Sequence, residues 1–123
     1  MSTITVTNIK ATGETASRAV SGVAAASLNY KGTATNTIRY SFNVSSVTDN
    51  TTGDYTTNFT NNMASADYTV TCAQGGDLNN NEVRIPKNGG SLAASNFSVN
   101  TLLVGSAIYD ATYLFETVHG DLA

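Results

Sequence analysis

Cysteine is nearly absent from this 123-residue sequence, with Cys72 its only example. No internal disulfide is possible, no cysteine-based zinc site can form within one chain, and Cys72 reads as a small apolar residue on a strand. Charge is scarce too, 12% of residues against 41% hydrophobic. That balance fits neither a charge-rich disordered chain nor a Glu- and Lys-rich coiled coil. The six cations, Lys10, Arg18, Lys31, Arg39, Arg84 and Lys87, are scattered among nine Asp and Glu. They form no basic stripe for phosphate contacts, so nucleic acid is not an expected partner. No stretch approaches the roughly 20 apolar residues of a membrane span, and membrane insertion is not expected. Residues 1–10 lack the charged start and the apolar run of a secretory signal. The single histidine, His119, sits three residues after Glu116 with no nucleophile motif such as Gly-x-Ser-x-Gly in the chain. The expectation is a non-enzymatic protein without a cofactor.

What is present is Thr, Ser, Asn, Ala and Gly, in a chain long enough for one domain that buries about two thirds of its unfolded surface. From Ile38 the apolar residues recur at every second place, Ile38, Tyr40, Phe42 and Val44, with polar residues between them. This is the pattern of a half-buried strand, and the out-of-phase Val47 calls for a bulge or bend near Ser45 and Ser46. Residues 49–54 supply turn formers and a glycine suited to positive φ, after which Tyr55, Thr57 and Phe59 alternate. The segment is thus a hairpin with one wet face rather than a linker, and Thr suits it through its branched Cβ. Further strands are expected at Tyr68, Val70 and Cys72, at Val83 and Ile85, and at Phe97 and Val99, with turns at Gly75-Gly76-Asp77, residues 86–90 and Gly105-Ser106. A last strand, residues 109–118, is apolar on both phases and should be covered on both faces. Short strands at this spacing with no helical period predict an all-β, antiparallel β-sandwich, jelly-roll-like, occupying residues 28–123.

Residues 1–27 differ in kind. Ile4, Val6 and Ile9 mark a short extended stretch, followed by a run of small residues that cannot build a core. This segment is expected to be an N-terminal docking arm. Two polar loops offer weak imitations of cation sites: Asp77-x-Asn79-x-Asn81 lacks the glycine and the final Glu of an EF-hand, and an Asx-type turn accounts for residues 49–54, so no metal is expected. The four Asn-x-Ser/Thr sequons, at Asn43, Asn50, Asn58 and Asn96, match by chance in so Asn- and Thr-rich a chain. If the sandwich holds a glycan, Tyr109 and Asp110 combine an aromatic face with a carboxylate for hydroxyls and form the best loop match.

The pattern Leu28-Asn29-Tyr30-Lys31-Gly32-Thr33, then Ile38-Arg39-x-Ser41-Phe42-Asn43-Val44-Ser45-Ser46-Val47-Thr48-Asp49-Asn50-x-x-Gly53-Asp54-Tyr55-Thr56-x-Asn58-Phe59, resembles the repeated signature of tailed-bacteriophage fibre and minor virion structural proteins of marine phages and prophages. The likeness extends through residues 63–70 and more loosely to Phe97-Ser98-Val99 and the closing strand. Family members usually carry Trp near Leu28 and a charged residue where Tyr40 stands; this chain has neither. The resemblance implies a homotrimeric virion appendage whose arm docks on other virion proteins and whose sandwich faces outward, toward a host-surface glycan. An arm of residues 1–27 reaches at most about 90 Å. That fits a stubby fibre, the tip of a composite one, or a capsid decoration protein.

Overall fold

The computed structural model describes residues 2–9, 18–19, 23–76, 81–87, 89–103 and 107–123. Eight strands build two four-stranded antiparallel sheets, and no helix occurs among the described residues. After the short pair β1 (Asn8–Ile9) and β2 (Arg18–Ala19), the chain runs β3 (Ala24–Lys31), β4 (Thr37–Phe42), β5 (Val44–Thr51), β6 (Asp54–Phe59), β7 (Thr69–Gly75), β8 (Asn81–Arg84), β9 (Asn96–Leu103) and β10 (Tyr113–His119). Sheet I has the order β4-β3-β10-β7 and sheet II the order β5-β6-β9-β8. The first and last strands of the sandwich, β3 and β10, therefore lie side by side in the middle of sheet I.

The two sheets share one core. Leu28, Tyr30, Leu114 and Val118 from sheet I meet Val44, Tyr55, Phe59, Phe97 and Val99 from sheet II. Tyr30 stands edge-on to Tyr55 across the layer, ring centroids 5.2 Å apart, and Phe59, Phe97 and Tyr68 form a second aromatic group with centroid separations of 5.7 to 6.3 Å. Such tilted and edge-to-face pairs suit the ring quadrupoles. Burial pushes the Tyr30 and Tyr68 phenols up to about 12. The Tyr68 hydroxyl keeps a partner in the Ala93 and Asn96 carbonyls, 2.9 and 3.0 Å away.

The expected hairpin is β5–β6, with Tyr55, Thr57 and Phe59 buried in alternation. Its glycine, Gly53, has φ +61, and a Cβ there would lie 2.4 Å from Ile108. The strand preceding the hairpin differs from expectation. Ile38 to Val44 is not one strand with one inward face: β4 ends at Phe42 in sheet I and β5 begins at Val44 in sheet II. Asn43, at φ +53, turns the corner between them. Its Nδ2 donates to the carbonyls of Ala25 and Asn61, both at 3.1 Å, and its Oδ1 accepts from the Asn61 N–H at 2.7 Å. Asn tolerates the left-handed region at lower cost than most residues, and those bonds hold it there. The irregularity expected near Ser45 and Ser46 is present: the β5–β6 register shifts between Val44 and Ser46, and the extra residue there brings Val47 opposite Thr57. Val44 is buried, and Tyr40 and Phe42 face outward.

Two further boundaries shift. Ala24 to Ser27, placed with the arm on sequence grounds, belong to β3, and Ala25 and Ala26 enter the core. The final strand begins at Tyr113 rather than Tyr109. Its inner side is buried through Leu114, Glu116 and Val118, but its outer side is half open at Tyr113 and Phe115, so the chain does not cover it on both faces.

Candidate functional site

The outer faces of the two sheets contrast sharply in chemistry. On sheet II the side chains satisfy one another. Asn58 Nδ2 donates to Ser46 and Thr48 at 3.2 Å, Asn50 Nδ2 to Thr56 at 3.0 Å, and the Thr56 and Ser98 hydroxyls lie 2.9 Å apart. Lys87 Nζ holds both carboxylate oxygens of Asp54, at 3.0 and 2.8 Å.

Sheet I presents instead Tyr40 (60% exposed), Phe42 (50%), Phe115 (43%) and Tyr113 (38%). The strand register sets their places. Tyr40, Asn29, Phe115 and Ala73 form one cross-strand row; Phe42, Ser27, Thr117 and Thr71 form the next. Aromatic ridges on β4 and β10 thus flank a middle strand that carries only Ser27 and Asn29 between them. Tyr113 and Phe115 stack with centroids 5.8 Å apart and planes 11° from parallel, and the Arg39 guanidinium lies 4.1 Å from the Tyr113 ring centroid. Arg39 reaches that ring because the β3–β4 register slips between Asn29 and Tyr30. The only carboxylate in the four strands is Glu116, which points inward, whereas Arg39 and Lys31 lie on the outer side. At the centre of the face, Asn29 Oδ1 is buried and accepts no hydrogen bond among the described residues.

Glu116 marks the middle of the interior. Its Oε2 accepts from the Thr57 hydroxyl at 2.8 Å, joining β10 to β6 across the core, while Oε1 has no partner among the described residues. Burial pushes its carboxyl up from 4.5 to about 7, only partly offset by the Thr57 bond. Cys72, its cross-strand neighbour on β7, has its thiol raised by burial and then by Glu116, and so stays protonated at neutral pH. Glu116 is buried in the core and Cys72 is partly buried against it.

The structure places the sequence-predicted residues as follows. Asp110 braces the loop before β10: its Oδ1 accepts from the Gly53 N–H and from the Tyr55 hydroxyl, both at 2.7 Å. Tyr109 pairs through its backbone with Thr101, whose hydroxyl donates to its carbonyl at 2.6 Å. In the arm, Ile4 is 86% and Val6 47% exposed, and Ile9 pairs with Arg18 in the small β1–β2 ladder. Of the two cation imitations, Asp77 and Asn79 lie outside the described residues; in the other, Asn36 bonds Asp49 and Lys87 holds Asp54. Among the described residues no cluster of three or more His, Cys, Asp or Glu is placed to hold a metal ion.

Sequence reasoning missed the outward Tyr40 and Phe42, the orphaned Asn29 and the interior position of Glu116. Glu116 did carry a signal, since it shares the Leu114 and Val118 phase of an apolar strand. None of the family models, curated proteins or solved structures compared with this chain matches it.

Proposed function

We propose that this chain is a non-enzymatic structural component of a tailed-phage virion, a short trimeric fibre or fibre tip that displays its sandwich for attachment to the host surface. The observation that carries this is the outer face of sheet I. A face rich in aromatic side chains and Arg and poor in acids has the composition of a recognition surface, whereas isolated exposed apolar residues would need no explanation. The exposed Ile4 and Val6 support the arm as the element that docks on other virion proteins. The burial of Glu116 inside the sandwich, with its carboxyl bonded to Thr57, supports the non-enzymatic reading.

Capsid decoration is the second reading, since the exposed aromatic face of sheet I would serve equally for contact with other head proteins. Quantitative mass spectrometry of purified particles separates the two. A fibre gives the copy number of a few trimers per particle; decoration gives a much larger number that follows the capsid lattice. Particles without the chain would refute both.

A further inference from the structure

We infer that the outer face of sheet I binds a carboxylate-bearing sugar chain, seated between the aromatic ridges of β4 and β10 with Arg39 and Lys31 toward its carboxylates. The inference rests on the attachment function proposed above and names the chemistry of what is attached to.

The geometry supplies the seat. The ridges stand two strand spacings apart, about 9.5 Å, and between them lie only the short Ser27 and Asn29. Aromatic rings accept the C–H faces of a pyranose, and the hydroxyls and amide of Ser27, Asn29, Thr71 and Thr117 suit its hydroxyls. Asn29 Oδ1 is the specific sign of incompleteness: it is buried without a donor among the described residues, an unfavourable state, and a sugar hydroxyl supplies that donor when a flanking ring turns aside.

Charge selects an acidic ligand. The chain carries a net charge of −3, yet the outer positions of β3, β4, β7 and β10 hold Lys31 and Arg39 and no carboxylate. Other occupants fit less well. A peptide added as a strand would pair along the edge of β4, leaving the rings and cations of the outer face unused. The same face of a second copy would set Arg39 and Lys31 against their own kind, a like-charge contact that opposes association.

The test titrates the full chain with oligogalacturonate, with neutral dextran oligomers and polyglutamate as comparators, following backbone amides by NMR. Oligogalacturonate should shift amides of β3, β4 and β10. The dissociation constant should rise about tenfold or more in Arg39→Ala, in Tyr40→Ala and for dextran, and should rise also in about 0.5 M salt. Asn58→Ala, on the opposite sheet, should leave it unchanged. Arg39 and Tyr40 are exposed, so retention of the wild-type amide pattern elsewhere confirms that these variants fold. Absence of shifts, equal binding of dextran, an unaffected Arg39→Ala, or polyglutamate binding as tightly would each overturn the inference. So would dissociation of the oligomer by Phe42→Glu, which would give the face to a second copy. Absence of the chain from purified particles sinks the virion proposal but leaves this titration standing, so the two failures are distinguishable.

Discussion

At the residue scale, neighbours in sequence have opposed fates because a strand turns them to opposite sides. Phe59 packs against Tyr68 and Phe97, while Asn58 bonds Ser46 and Thr48 on the wet face. Phe59→Ala should cost about 3–5 kcal/mol and Asn58→Ala at most about 1 kcal/mol in a urea titration; equal costs would reverse the assigned faces. Glu116 makes stability depend on pH in an unusual direction. Its carboxyl titrates near 4.5 in an unfolded chain and near 7 in the fold, so the folded state holds the proton more tightly. Its contribution is fully present below 4.5 and is lost as pH rises through about 7. Between pH 5 and pH 8 the fold should lose roughly 2–3 kcal/mol from this group. Glu116→Gln, which keeps a neutral group of similar shape, should flatten that slope. Melting temperatures of both proteins across this range are the check, and an unchanged slope in Glu116→Gln would refute it.

At the scale of elements, β3 decides where the arm ends. Ala25 and Ala26 are buried, and the Ala25 carbonyl accepts the bond from Asn43 that fixes the β4–β5 corner. A chain starting at Val23 should therefore fold with nearly the stability of the full protein. One starting at Ser27 should lose several kcal/mol, because an inner strand of sheet I is cut short and the corner loses an anchor. Circular dichroism and thermal melting of the two truncations distinguish them, and equal melting would show that the start of β3 contributes nothing. If the arm docks the protein, the chain starting at Val23 folds but fails to restore particles assembled without the full protein.

At the scale of the whole molecule, the sandwich has one surface whose polar side chains bond one another and one that presents aromatic rings and two cations over an acceptor, Asn29 Oδ1, without a partner among the described residues. Sedimentation of the full chain at micromolar concentration should show a homotrimer, as the proposed appendage requires; a stable monomer at that concentration would remove the trimer from the proposal. If the proposed trimer directs its recognition faces away from its axis, Arg39→Ala should sediment like the wild type.

The sequence by itself determined the all-β class, the hairpin between β5 and β6, and the inward set Tyr55, Thr57 and Phe59, because period-2 alternation and turn chemistry are local properties of the chain. It also restricted the charge available for partners. Alternation sorts side chains onto two sides of a strand, but which side meets a second layer depends on packing that the strand does not encode. Tyr40 and Phe42 therefore share a sequence phase with Val44 yet face outward, since Asn43 carries the chain into the other sheet between them. The same holds for Glu116: only the stacking of β10 over β6 brings Thr57 to its carboxyl and removes it from water. The outer face of sheet I likewise exists only when β4, β3 and β10, drawn from both ends of the chain, lie side by side.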